Sequence, residues 1–434
     1  MDIFQTIRAI AVASAVAAPL AASTGGSFSF GEGPLPAGFT QVLPSTVYSN
    51  SLGYGFEPGP DVTSVDRGGP DPLHGHFCTG PHPFFFSVAV PEGNYEVTVV
   101  LGDAKGASTT TVKSELRRLE LEEVSTAQGQ IVTRSFAVNV RNPGFGDGRT
   151  VRLKPREKTG EFCDWDGKLT LEFNGGRPCV CAVTIVPAPN VPTVYLAGDS
   201  TVCDQPYEPF ASWGQMIPRF FGDGIAVANH AESGESLKSF VAENRLAKLD
   251  TLMRPGDFLF IEFGHNDQKE KGEGVGAFTT YKASLEHFVA DARTHGVTPV
   301  LVTPVSRRTF GPDGRVVNSL GDFPSAVRLV ASEQGVALID LNAMTTTLYE
   351  ALGPEGAKEL FPMANGKREG THHNNYGSYV IARCVAEGIR ADHLAIEDKL
   401  LPESHPFDPA NPGKIRDFAV PASPRASTEV PYGN

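Results

Sequence analysis

From about residue 27 to 188, apolar side chains fall on every second position, the signature of strands with one buried face. Phe86, Val88 and Val90 alternate with Ser87 and Ala89. Tyr95, Val97, Val99 and Leu101 alternate with Glu96 and Thr98, and Pro91-Glu92-Gly93-Asn94 forms a turn between the two runs. Phe136, Val138 and Val140, then Leu169, Leu171 and Phe173, repeat the pattern. Short strands separated by Gly, Pro and Asn clusters predict an all-β, antiparallel sandwich over 27–188. Pro187-Ala188-Pro189-Asn190-Val191-Pro192 reads as a stiff connector that cannot continue a ladder. The period then changes. Val194–Ala197, Ile225–Ala228, Phe258–Ile261, Pro299–Val302 and Val336–Ile339 are nearly continuous apolar runs, suited to strands covered on both faces. Between the third and fourth, Tyr281, Leu285, Phe288, Val289 and Ala292 share a helical face that Gly296 can end, and Val380, Ile381, Cys384, Val385 and Ile389 form a wide apolar stripe on a last helix. Strand alternating with helix over 193–400 predicts an α/β domain with a doubly wound parallel sheet. Residues 401–434 form a Pro-rich tail expected to wrap irregularly over the surface.

A length of 434 residues allows two or three domains, and 40% hydrophobic with 20% charged residues describes a globular chain. The net charge of −13 lends no support to nucleic-acid binding, which calls for a basic patch or stripe. Residues 1–22 pass from Arg8 through an Ala-rich apolar run to small residues, the form of a cleaved signal peptide, so the expected location is secreted or periplasmic. No later stretch reaches the ~18 unbroken apolar residues of a membrane span. Six cysteines are few for this length; some would pair in an exported protein, whereas Cys384 on its apolar helix reads as a small buried hydrophobe. Asp71, His74, His76 and Cys78 have ligand-like density but lack a second half at zinc spacing.

The chemistry is concentrated in three distant blocks. Gly198-Asp199-Ser200-Thr201 follows one apolar strand, Gly264-His265-Asn266-Asp267 follows another, and Glu369-Gly370-Thr371-His372 precedes the last helix, with Gly234 between the first two. Taken singly, each has a structural reading: a capped turn, a helix cap, a hydrogen-bonded imidazole. Their order and their placement at strand ends carry the catalytic one. The set resembles the SGNH (GDSL-type) hydrolases. The wording of Trp213–Met216, Gly264–Lys269, Thr303–Arg308 and Thr371–Gly377 resembles the rhamnogalacturonan acetylesterase branch. This resemblance implies a three-layer, flavodoxin-like catalytic domain, and the β-sandwich resembles the galactose-binding-like modules that precede it in this branch.

The resemblance also implies roles. Ser200 is the expected nucleophile and His372 the base that takes its proton, because a serine hydroxyl is barely ionised at neutral pH. The Ser200 and Gly234 backbone N–H groups and the Asn266 side-chain amide are the expected oxyanion donors. Asp199 and Asp267 are expected to tether their loops. The family pattern is Asp-x-x-His, and here Glu369 stands at the acid position. Two arrangements are open: Glu369 folds back to orient His372, or Ser200 and His372 act as a dyad helped by a backbone carbonyl. His373 is the alternative base. Trp213 is either a core aromatic or a platform for a sugar ring. Arg307 and Arg308 follow a strand end and either pair with nearby acids or read a uronate carboxylate. The mechanism requires no metal or other cofactor, though calcium held by sandwich carbonyls would leave no trace in the sequence.

The leading expectation is an exported carbohydrate esterase that removes acetyl groups from a pectic backbone, with an acetylated polysaccharide as its partner. An esterase for another acylated glycan or a small acyl ester would share the site. A reading from another class is a glycan-binding protein with a degenerate hydrolase half, motivated by Glu369.

Overall fold

The computed structural model describes residues 25–432 apart from 70, 405 and 415–417; the signal peptide expected over 1–22 lies outside the described residues. Five parallel strands, Thr193–Gly198, Ala226–Asn229, Phe258–Glu262, Thr298–Val302 and Ala337–Ile339, occur in the spatial order second, first, third, fourth, fifth. This is the flavodoxin-like order, which leaves a crevice where the first strand separates from the third. The apolar runs have no polar face because both faces are covered. Val194 and Leu196 enter one core with the Asn375–Ala391 helix, while Tyr195 and Ala197 enter another with the Lys282–Thr294 and Phe323–Gln334 helices. Gly296, at φ +71°, follows the Lys282–Thr294 helix. The Asn375–Ala391 helix begins at Asn374, whose side chain accepts from the Gly377 N–H at 2.9 Å.

Upstream lies the β-sandwich. Tyr54–Phe56, Phe84–Ala89, Lys168–Arg177, Ser108–Ser114 and Arg118–Thr126 form one antiparallel sheet. Ile131–Val140, Gly93–Gly102, Val180–Pro187 and Gly26–Phe30 pair antiparallel in the other. The alternating residues named above, Phe86, Val97, Val99, Phe136, Val138, Leu171 and Phe173 among them, fill the space between the two sheets.

The two halves are not beads on a string. Val138 pairs with Val227 and the Ala137 N–H donates to the Gly222 carbonyl at 2.9 Å, so a sandwich sheet runs directly into the parallel sheet. The same boundary buries charge. Arg118 bonds Asp204 at 2.7 Å and Asp164 at 3.0 Å, Arg141 reaches the other oxygen of Asp164 at 3.0 Å, and Arg117 pairs with Glu208 at 2.7 Å. Buried guanidinium and carboxylate groups are costly unless they are paired, and here Asp204 and Glu208 belong to the segment that follows Ser200.

The six cysteines are unpaired. Five are buried, and burial pushes the Cys78 thiol up to about 12, so they behave as small apolar groups and the expected pairing is not formed. Among the described residues no helix is long and apolar enough to cross a membrane.

Candidate functional site

At the end of the Thr193–Gly198 strand the chain turns sharply, the Val202 and Cys203 N–H groups donating to the Asp199 carbonyl at 3.0 Å. Asp199 accepts from the Thr201 N–H at 2.9 Å and its hydroxyl at 2.8 Å, which fixes the loop around Ser200. Ser200 Oγ lies 2.8 Å from His372 Nε2, and His372 Nδ1 lies 3.1 Å from Glu369 Oε1. With its proton on Nδ1, the imidazole donates to the carboxylate and accepts from the serine hydroxyl. The extra methylene of Glu369 is absorbed by folding the side chain back, so that its second oxygen accepts from the Gly370 N–H at 2.7 Å. Of the two arrangements open to Glu369, this places its carboxylate on the imidazole.

Ser200, Gly234 and Asn266 are linked through their neighbours. Gln205 Nε2 donates to the Ser200 carbonyl at 2.8 Å and to Ser233 Oγ at 3.3 Å, and Asn266 Nδ2 donates to the Glu235 carbonyl at 2.8 Å. Gly234 is therefore held between two anchored residues. Its φ of +81° is a left-handed conformation that side-chain-bearing residues rarely adopt. An amide nitrogen carries two hydrogens. Glu235 takes one from Asn266, and Lys269 Nζ holds the amide oxygen at 3.1 Å, leaving the second hydrogen of Asn266 available. Among the described residues the Ser200 and Gly234 N–H groups have no protein acceptor.

Behind this row lies a buried polar layer. Glu262, the last residue of its strand, accepts from Thr201 Oγ1 at 3.1 Å, the Val305 N–H at 3.2 Å and Trp213 Nε1 at 2.5 Å. Burial, with Asp199 nearby, pushes its carboxyl up to about 8. Burial works to raise Asp199 as well, but His265 at 3.5 Å and the Thr201 donors outweigh it and hold that carboxyl below its ordinary value. Asp267 accepts from the Leu237 N–H at 2.9 Å, tying the Asn266 loop to the helix after Gly234, and burial raises it to about 7.

Three sequence expectations need correction. Trp213 is 1% exposed and its indole N–H is taken by Glu262, because a buried tryptophan must find an acceptor; it is a core aromatic and offers no sugar platform. His373 is equally buried, with Nε2 2.8 Å from the Tyr349 hydroxyl and its ring against Phe361 at 4.4 Å. Burial lowers it to about 3, so it is not an alternative base. Arg308 is committed to the Glu369 main chain, its Nε and Nη2 each 3.3 Å from that carbonyl. Arg307 is the arginine left at the rim. In the amide orientation that satisfies both partners, Gln268 accepts from it at 2.6 and 2.7 Å; burial lowers its pKa while Asp199 and Glu369 oppose the shift.

Sequence reasoning missed the supports that the sandwich provides. Arg117 donates to the Gln205 and Phe210 carbonyls at 2.9 Å each. Lys154 donates to the Ser233 carbonyl at 3.1 Å and pairs with Glu235, and Arg156 bonds Glu232 and the Ser233 carbonyl. Glu262 had one visible signal, an acid closing the apolar run Phe258–Ile261. The arginines and Lys154 had none, since their partners lie some 75 or more positions away.

The Asp71, His74, His76 and Cys78 cluster does not form. Asp71 pairs with His74 at 2.6 Å near the surface, while His76 lies buried at 2.9 Å from Ser29 Oγ. Among the described residues, ligand atoms converge at Glu157, Glu161 and Glu232 and at Asp250, Asp291 and His295. The first trio lies against Arg156 and Arg245, which pair with its carboxylates.

Residues 196–378 match the GDSL-like lipase/acylhydrolase family, and residues 27–139 match a galactose-binding domain-like family described from β-agarase and YXIM esterase. The chain is 42% identical over 219 residues to rhamnogalacturonan acetylesterase RhgT of Bacillus subtilis, covering 48% of this chain and 94% of that protein. It is 26% identical over 379 residues to the uncharacterised esterase YxiM of the same organism, covering 85% and 91%. A rhamnogalacturonan acetylesterase of Emericella nidulans is 26% identical over 242 residues, covering 50% and 93%.

Proposed function

From the premise that this chain belongs to the GDSL-like lipase/acylhydrolase family and is a carboxylic ester hydrolase, we propose that it removes acetyl groups from a rhamnogalacturonan-type pectic polysaccharide. The observation that carries the catalytic part is the imidazole of His372 set between Ser200 Oγ and the Glu369 carboxylate. Ser200 Oγ attacks the acetyl carbon as its proton passes to His372 Nε2. The carbonyl oxygen becomes negative and is met by the N–H groups of Ser200 and Gly234 and the free Asn266 hydrogen, donors that gain most when that charge has formed. His372 returns its proton to the departing sugar oxygen, leaving an acetyl group on Ser200. Water, deprotonated by the same imidazole, then attacks the acetyl carbon, and His372 passes that proton to Ser200 Oγ as acetate leaves.

The pectic substrate is supported by the two rhamnogalacturonan acetylesterase relatives and by Arg307, a cation beside the site in a chain of net charge −13. Export through residues 1–22 fits a polymer found outside the cell. A degenerate hydrolase half is not favoured, because Glu369 makes the contact on which that reading had cast doubt. Acetate release from a panel of acetylated plant polysaccharides tests the proposal. Release from rhamnogalacturonan that disappears in Ser200→Ala is expected; release only from another glycan would replace the substrate.

A further inference from the structure

Burial of Trp213 removes one surface on which a sugar ring could pack, and another aromatic residue arrives from the far end of the chain. The segment after residue 420 is strapped across both halves. Lys113 Nζ donates to the Pro421 carbonyl and to Ser423 Oγ at 2.7 Å each, and Glu208 and Ala426 form a bridge. Arg425 donates to the Gly160 carbonyl at 2.9 Å and stacks over Tyr207 at 4.9 Å. These anchors bring Tyr432 to the oxyanion loop, where its ring edge stands 3.4 Å from the place a Gly234 Cβ would occupy. The Arg156 guanidinium lies over the ring at 4.9 Å, and Arg156 is itself bound to Glu232 and the Ser233 carbonyl. Despite these contacts Tyr432 is 71% exposed, far more than a packing aromatic needs.

Beside it lies a cavity of about 280 Å³, lined by Arg156, Glu161, Gln205, Tyr207, Phe210 and Tyr432 among others. Its walls touch the catalytic row: Phe210 meets the His372 ring edge-on at 6.3 Å, and Gln205 is bonded to the Ser200 carbonyl. Exposed aromatic surface next to carboxyl, amide and guanidinium groups matches a sugar, whose C–H faces pack on rings while its hydroxyls exchange hydrogen bonds.

We propose that Tyr432 is a substrate-binding residue: with Arg156 fixing one face of its ring, it forms a stacking platform for the sugar unit that neighbours the acetylated one. The inference rests on the glycan-esterase reading above. It assigns the Pro-rich tail a place in the binding site and gives the sandwich, through Arg156, a share in substrate recognition.

The test compares kcat/KM on an acetylated rhamnogalacturonan oligosaccharide with kcat/KM on an aryl acetate, for wild type, Tyr432→Ala and Tyr432→Phe. In Tyr432→Ala the ratio of the two is expected to fall about three- to tenfold, the range that aromatic packing supplies, mainly through KM for the oligosaccharide. Tyr432→Phe, which keeps the ring, should restore the ratio to within about twofold. An unchanged ratio in Tyr432→Ala, or an equal fall in both variants, would overturn the platform while leaving the glycan-esterase reading intact. A wild type inert on every acetylated glycan would remove both.

Discussion

Replacing Glu369 with alanine deletes the carboxylate that stands 3.1 Å from His372 Nδ1. The proton that Ser200 gives up moves onto the imidazole, so the attraction between that proton's charge and the carboxylate grows as the transition state forms. Two unit charges at that separation attract by ~5 kcal/mol at an effective dielectric of ~20. At ~1.4 kcal/mol per decade, this sets a ceiling of nearly four decades in rate. Water entering the vacated space recovers part of it, so a loss of about 10²–10³ in kcat is expected, with KM little changed. Glu369→Asp should fall between, because a carboxylate one methylene shorter cannot both reach Nδ1 and keep the Gly370 N–H. Steady-state kinetics on an aryl acetate supply kcat and KM, with Ser200→Ala as the floor and circular dichroism melts verifying the fold. A kcat for Glu369→Ala within about fivefold of wild type would refute the reasoning and leave a Ser200–His372 dyad.

Arg307→Ala should cut kcat/KM on acetylated polyuronide about tenfold, the scale of one charged hydrogen bond (~1.5 kcal/mol), and flatten its dependence on ionic strength. Equal effects on a neutral aryl acetate would dismiss the arginine as a reader of uronate. Stability should also depend on pH through Glu262 and Asp267, raised to about 8 and about 7 by burial. The folded protein keeps protons that the unfolded chain releases near pH 4, so their contribution is full in acid and is lost as pH rises from about 4 to 8. The urea midpoint of Glu262→Gln, relative to wild type, should therefore shift in the variant's favour between pH 5 and pH 8; a difference independent of pH would show that Glu262 is not held protonated.

What the chain revealed before folding was whatever it encodes locally. Unbroken apolar runs such as Phe258–Ile261 declare a strand covered on both sides, and Ser200, Asn266 and His372 declare themselves by the order of their blocks. Contacts made across long stretches of chain leave no such mark. Nothing near Val138 announces that it will pair with Val227, and nothing near Arg117 announces Gln205 and Phe210. The errors share this cause. Trp213 and His373 sit in the most telling segments of the sequence, yet Glu262 and Tyr349, from other parts of the chain, decide that they face inward. Glu369 departed from the family pattern on paper and lost nothing in reach, because one additional methylene is a matter of rotamer choice.

The sheet shared between the halves makes dissection self-defeating. An excised fragment 193–400 would bare the backbone edge of Ala226–Asn229, an open invitation to stick to its neighbours, and would leave Asp204 and Glu208 stripped of the guanidinium groups that neutralise them. Those two acids lie a few positions beyond Ser200, so damage at the seam would travel straight into the reaction centre. Anyone seeking a minimal catalyst from it would have to rebuild the missing wall before trimming it away.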